Sequence, residues 1–288
     1  MAIVDLRDDW SDLLGRRKTF AGALAPYDAI IQAWAAWEPA REAPAWSSER
    51  CDDRWRGGRP LIVDVPPQID AADVEDLMAV AMEAVTAVCP EEAAGMRRLA
   101  DAWDAGDVAP PSLLPEPGVI AKSVVGRLAL RREVAAFVAY AALRPALQSW
   151  FAGAHPLVSD AGWPLGICPC CGAPPGFADI IEDGRRRLAC HVCGTAWIFS
   201  RVRCPLCGAD AAGDQTRLEP EGGEAAYFIT ACVRCGGYVK EIDRRLRWNA
   251  RNPVVEDWGS PHLDLVARRA GHWRPVPTLV DVVGSAKS

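Results

Sequence analysis

Apolar residues recur at spacings of three and four along the first 160 positions, which is the period of amphipathic helices. The pattern predicts four helices. They begin at Pro26, after an N-cap at Asp70, at Pro90 with a stop near Gly106, and around Val124 with a bend or end at Arg144-Pro145. The Trp and Met side chains on these faces are expected to be core packing, and we assign them no chemistry.

The pattern changes at Gly162-Trp163-Pro164, after which short β-prone runs are separated by glycine and proline. Asp183-Gly184 between two such runs predicts a hairpin, and the turn from Pro220 to Gly223 predicts a second. Further along, Ser260-Pro261 predicts the start of a short helix that ends near Gly271.

These patterns predict an α+β fold. Its expected parts are an α-helical domain over residues 1–161, a first metal ribbon over 162–202, a second over 203–251, and a C-terminal helix and tail over 252–288. The tail is too short to fold alone, so we expect it to dock on the rest.

The strongest chemical signal is a set of cysteines. Nine of the 11 fall between positions 168 and 235, and eight of them form four Cys-x-x-Cys-Gly units. In this knuckle both sulfurs point at one ion, and the following glycine can take a positive φ that turns backbone N–H groups toward sulfur. The predicted metal ligands are Cys168, Cys171, Cys190, Cys193, Cys204, Cys207, Cys232 and Cys235.

The four knuckles form an internal repeat of two units, in which a Cys-Pro-x-Cys-Gly-Ala knuckle opens and a second knuckle closes each unit. A unit of about 40 residues buries too little surface to be stable alone, so a tetrahedral ion would replace its core. The alternative is an interleaved arrangement that joins the first knuckle to the third. The hairpin inside each unit favours the local pairing.

The sequence leaves open whether the two ions are zinc or iron, since four thiolates suit both. Closed, inert zinc sites are one reading, and a redox-responsive iron site or thiol switch is the other. Either one uses all four thiolates and leaves no position for hydrolytic zinc chemistry. The chain also carries no catalytic triad signature, phosphate loop or dinucleotide fingerprint, so we predict no catalytic residues, no cofactor-binding residues and no enzyme.

The other cysteines and the histidines receive weaker predictions. Cys170 lies inside the first knuckle and is either an exposed spare thiol or an incidental small residue. Cys51 and Cys89 are expected to be half-buried packing residues. His191 lies between two predicted ligands, where we expect it to point outward without a role.

The N-terminal sequence and the apolar runs bear on the cellular location of the protein. The 288-residue chain has a formal net charge of -6 and begins MAIVDLRDDW, without the basic and apolar regions of an export signal, so we expect a cytoplasmic protein. Its longest apolar run, from Val134 to Leu143, is shorter than the roughly 20 residues that span a bilayer, so no membrane insertion is expected.

A nucleic-acid-binding zinc ribbon is the competing function class. Arg185 to Arg187 and Arg244 to Arg247 supply basic clusters, and residues 168–251 carry 12 basic against 10 acidic side chains. Two divalent ions on eight thiolates would make that region negative, which weakens attraction to phosphates. We therefore expect no nucleic-acid partner and read the clusters as solvated charged faces.

With these residues in view, the sequence resembles the FdhE family of formate dehydrogenase accessory proteins. The resemblance rests on the four knuckles, on the segment from Cys193 to Cys204, on Cys235 to Lys240, on Glu256 to Leu265 and, more weakly, on Arg54 to Leu61. It implies an α-helical part joined to two tandem rubredoxin-like ribbons, with the eight knuckle cysteines as metal ligands.

The resemblance also implies a function. It is the cytoplasmic maturation of a respiratory formate dehydrogenase that contains molybdenum or tungsten, through binding of the catalytic subunit before export. The alternatives are the nucleic-acid-binding ribbon and a redox-active iron or thiol protein that acts on another metalloenzyme. The client-binding surface and the oligomeric state are left open.

Overall fold

This computed structural model describes residues 4–158, 162–220 and 222–284. The helices are α1 Val4–Arg16, α2 Ala21–Ala36, α3 Ser48–Arg56, α4 Glu75–Val88, α5 Ala93–Asp104, α6 Pro110–Leu113, α7 Lys122–Leu128, α8 Arg132–Trp150, α9 Pro253–Trp258, α10 Pro261–Arg269 and α11 Leu279–Gly284. The strands are β1 Phe177–Ile180, β2 Arg186–Ala189, β3 Ala196–Phe199, β4 Gln215–Leu218, β5 Tyr227–Cys232 and β6 Tyr238–Asp243. Within these ranges no helix is both long and apolar enough to cross a membrane.

The helical body is built around α8, which is buried from Val134 to Leu147 and packs against α4 and α2. The mixed α+β fold predicted from the sequence is confirmed, but the long helix expected from Val124 is two helices, α7 and α8. Ala129 lies between them with a φ of 48°, and Arg98 donates to the carbonyls of Leu128 and Ala129 at this break. The helix then continues through Pro145, so the predicted end at Arg144-Pro145 is wrong, and the alternative of a bend there stays a prediction.

Both predicted hairpins are present and belong to one six-stranded sheet with the order β3-β2-β1-β6-β5-β4. Every neighbouring pair is antiparallel except β1 and β6, which run parallel with Ala178 opposite Glu241. The two predicted ribbons are therefore halves of a continuous sheet. The boundary at residues 202 and 203 stays a prediction about domain organisation.

The C-terminal region is part of the core. Trp258, at the end of α9, stacks on Tyr27 with ring centroids 4.3 Å apart, and it also contacts Trp34 and Trp10. The predicted helix after Ser260 is α10, whereas α1, α9 and α11 were not predicted. These aromatic contacts join the chain's two ends.

A buried ionic network fixes this region to the sheet. Arg274 donates to Asp257 and Asp264 at 2.9 Å, and to the carbonyl of Gly176 at 2.6 Å. Lys240, on β6 and wholly buried, lies 2.7 Å from Asp264 and 2.9 Å from Asp257. Each charge thus faces an opposite charge, which limits the cost of burial.

Candidate metal centres

The four knuckles share one backbone geometry. In each, the amide of the glycine after the second cysteine donates to the carbonyl of the first cysteine, over 2.9–3.1 Å. The first cysteine's amide donates in turn to the carbonyl of the residue after that glycine, at 2.8 Å in every case. The four glycines, Gly172, Gly194, Gly208 and Gly236, have φ between 70° and 79°. The predicted need for a positive φ is therefore met at all four turns.

The knuckles bring the eight predicted cysteines into two groups. Cys168, Cys171, Cys190 and Cys193 form the first group, and Cys204, Cys207, Cys232 and Cys235 form the second. In the first group the Cys168–Cys193 and Cys171–Cys190 sulfurs are 3.5 Å apart. The corresponding distances in the second group, Cys204–Cys235 and Cys207–Cys232, are 3.8 and 3.7 Å. The structure thus has the local pairing of knuckles and not the interleaved one.

These distances fit a tetrahedral metal ion. Four sulfurs about 2.3 Å from a central ion lie about 3.8 Å from one another, whereas a disulfide needs about 2.05 Å. All sulfurs within each group lie within 4.8 Å of one another. Each group could therefore hold one metal ion, and the thiolate donor set suits both zinc and iron.

Burial is the main influence on the pKa values of the cysteines in the first group. It raises the pKa of Cys168, Cys171 and Cys190 well above that of an ordinary thiol, while hydrogen bonds from neighbouring thiols lower the pKa of Cys193 despite its burial. Without an ion, most of these groups would keep their protons. Binding of a metal ion at this group would therefore release protons and would be favoured by rising pH.

The helical body covers the first group. The amides of Leu61 and Ile62 donate to the carbonyls of Pro169 and Cys170, and Trp55 Nε1 donates to Pro169 from α3. All four sulfur-bearing residues of this group are buried. The site is therefore closed to solvent by residues that lie more than 100 positions earlier in the chain.

The second group is more open. Cys207 is exposed and Cys235 is partly exposed, whereas Cys204 and Cys232 are buried. Its cover comes from the segment after α10, where Trp273 Nε1 donates to the carbonyl of Cys235 at 2.8 Å. The two groups thus share a coordination geometry but differ in access to solvent.

Comparison with known proteins adds to this geometry. No protein-family model matches the chain. Proteins named "Protein FdhE homolog" from Stutzerimonas stutzeri and Aquifex aeolicus are each 32% identical, over 119 and 122 residues. The crystal structure of the FdhE protein from Pseudomonas aeruginosa matches with a TM-score of 0.64 and 21% identity, over 97% of this chain and 96% of that one.

The chain is similar in sequence and in fold to proteins of the FdhE family. The sequence alignments cover 40% and 38% of this chain and 38% and 39% of the two relatives. The likeness in structure extends over nearly the whole FdhE protein of Pseudomonas aeruginosa and confirms the predicted fold. The family resemblance drawn from the knuckles is therefore confirmed.

The three remaining cysteines of this FdhE-like chain are buried. Cys170 is wholly inaccessible, so the expectation of an exposed spare thiol is wrong and that of a small packed residue fits. The reason is that α3 and the turn at Leu61 to Val63 close over the knuckle. Cys51 and Cys89 are also buried, more completely than the half-buried packing predicted for them.

The prediction that His191 points outward without a role is wrong. It is 1% exposed, and its Nε2 lies 2.9 Å from Asp257 Oδ2. Its carbonyl accepts a hydrogen bond from Arg144 of α8. No local signal indicated this, because the partners come from the helical body and from α9.

Proposed function

We propose that the protein is a cytoplasmic accessory factor for maturation of a respiratory formate dehydrogenase containing molybdenum or tungsten, and that it binds the catalytic subunit before export. The whole-chain likeness to an FdhE protein carries the proposal, together with sequence similarity to two FdhE homologues. The eight knuckle cysteines are the proposed ligands of two ions, one in each group.

The ions would act in this proposal by holding the ribbons together. Each half of the sheet has only three short strands, and metal ligation would supply folding free energy that so small a core lacks. All four thiolates of each group would be ligands, which leaves no open position for a bound water. This supports a binding function over a hydrolytic one.

The arginine clusters weigh against the nucleic-acid alternative. Arg187 and Arg244 both pair with Asp179, and Arg186 pairs with Glu241 at 2.6 Å where both are buried. Arg245 pairs with Asp243. Each of these guanidinium groups faces a carboxylate, so the clusters present less positive charge to an extended phosphate backbone than the sequence alone predicts.

The openness of the second group favours one alternative, a redox-active ion or thiol pair. Cys207 is exposed, so an electron donor or an oxidant could approach this group more closely than the first. Anaerobic purification followed by metal analysis and visible absorption distinguishes the cases. Stoichiometric zinc without a visible band removes the iron form of the alternative, whereas iron with a thiolate charge-transfer band supports it.

The accessory function is tested by deleting the gene and measuring formate dehydrogenase activity, with co-purification of the tagged protein and the catalytic subunit. We expect activity to fall in the deletion strain, and the two proteins to co-purify before the subunit is exported. Full activity without the gene, combined with no physical association, would overturn the proposal. Restoration by the wild-type gene controls for effects on neighbouring genes.

A further inference from the structure

A polar cavity of about 540 Å³ lies beside the first cysteine group. It is bounded by α8, by β2 and by the segment that leads into α9. Its charged lining consists of Arg144, Arg187, Arg244, Arg251, Asp8 and Asp9. The volume falls within the range of small-molecule sites in proteins, roughly 300–1,000 Å³, and the arginines outnumber the carboxylates.

Arg144 is the distinctive group in this cavity. It is 4% exposed, its guanidinium stacks over the ring of Trp34, and one of its nitrogens donates to the carbonyl of His191. Its Nε has no hydrogen-bond partner among the described residues, and its nearest negative partners would be the thiolates of Cys190 and Cys193. An unsatisfied buried N–H of a charged group is costly, so an acceptor that enters the cavity, such as a water or an anion, would stabilise it.

The neighbouring groups reinforce the surplus of donors. Arg187 and Arg244 share the single carboxylate of Asp179, so two guanidinium groups face one negative charge. His155 also lines the cavity, and its Nε2 has no hydrogen-bond partner among the described residues. Two donors without a partner, Arg144 Nε and His155 Nε2, therefore lie near an arginine of β2 that shares its carboxylate with Arg244.

We propose that this cavity binds a small anion of the phosphate class, either free or as the terminal group of a small molecule, with Arg144 and Arg187 as hydrogen-bond donors. A planar carboxylate is satisfied by one arginine fork, whereas a phosphate presents oxygens in several directions. Donors that approach from three separate elements match the oxygens of a phosphate better than those of a carboxylate. The inference does not depend on the proposed maturation function.

The test uses the metal-loaded full chain and isothermal titration with inorganic phosphate, pyrophosphate and adenosine 5′-monophosphate at low ionic strength. We expect saturable binding that weakens about tenfold or more in Arg144→Met and in Arg187→Gln, since each loses charge-assisted hydrogen bonds. The three compounds separate free phosphate from a phosphate on a larger molecule. Metal content measured after each titration shows that the anion has not removed the ion.

Arg217→Gln is the matched control, because Arg217 lies on β4 and pairs with Glu219 at the surface, away from this cavity. Its affinity should equal that of the wild type. Arg187 is partly exposed, so Arg187→Gln keeps the test valid even if the Arg144 variant does not fold. Absence of saturable binding at millimolar phosphate compounds, equal affinity for acetate, or unchanged affinity in Arg187→Gln would each overturn the proposal.

Discussion

The same knuckle turn holds Cys193 in a buried group and Cys235 in a more open one. Replacing either residue should therefore affect stability differently. Cys193 is 0% exposed and lies under the helical body, whereas Cys235 is partly open to solvent. Removal of one ligand leaves three thiolates, which hold an ion poorly. Without Cys193, the thiols of Cys168, Cys171 and Cys190 would also remain buried without a bound ion.

We therefore predict that Cys193→Ala and Cys235→Ala each lose about one ion per chain, and that Cys193→Ala destabilises the protein more. Metal analysis after gel filtration measures the first effect, and urea unfolding measures the second. Cys51→Ala is the control, since Cys51 is a buried cysteine that lies outside both sulfur groups. Full metal content in Cys193→Ala or Cys235→Ala would show that the ligand assignment is wrong.

His262 gives a second prediction at the residue scale. Burial, with repulsion from Arg17 and Lys240, lowers its pKa to about 4, while the ring stacks on Phe20. Because the folded pKa lies below the ordinary value of 6.5, the unfolded chain takes up the proton first as the pH falls. This histidine therefore lowers stability progressively between pH 6.5 and 4, and has no such effect above that range.

Replacement by Phe keeps the stacking and removes the titration. We expect His262→Phe to lose less stability than the wild type between pH 6.5 and 4, as measured by the shift of the urea midpoint at each pH. Acid release of metal affects both proteins alike, so the difference between them isolates the histidine. Parallel pH profiles for the two proteins would contradict the assignment.

At the scale of elements, the sequence predicted correctly those turns whose determinants lie within a few residues of one another. The Cys-x-x-Cys-Gly spacing and the Asp183-Gly184 turn are complete within a few residues, and both have the predicted form. The break between α7 and α8 was not predictable, because Arg98 of α5 occupies the carbonyls there. The parallel pairing of β1 with β6 and the burial of His191 were missed for the same reason. Both depend on residues distant in sequence.

The knuckle turn itself can be tested with Gly208→Ala. Gly208 has a φ of 79°, and an added Cβ would meet only ordinary contacts with Arg203, so backbone strain of about 1–2 kcal/mol is the expected cost. Gly271, with a φ of 83° and open space around it, is the control at the end of α10. We expect similar losses of stability, but weaker metal affinity only in Gly208→Ala, as measured by competition with a chelator. Equal metal affinity in the two variants would remove the link between the positive φ and the site.

At the scale of the molecule, the network around Arg274 joins the C-terminal helices to the sheet. Its guanidinium contacts Asp257 of α9, Asp264 of α10 and the carbonyl of Gly176 before β1. These charges are buried, so their value lies in mutual compensation rather than in net attraction. Removing one member leaves the others uncompensated in a medium of low dielectric constant.

Arg274→Met keeps most of the side-chain volume and removes the charge. We expect a loss of about 3–5 kcal/mol in the free energy of unfolding, because Asp257 and Asp264 lose a cation that holds the pKa of Asp257 low. Arg217→Gln, which breaks an exposed pair with Glu219, should change stability by less than about 1 kcal/mol. Unfolding by urea, followed by tryptophan fluorescence, compares the three proteins. A loss in Arg274→Met no larger than that of the surface variant would mean that the network orients the C-terminal helices without stabilising them.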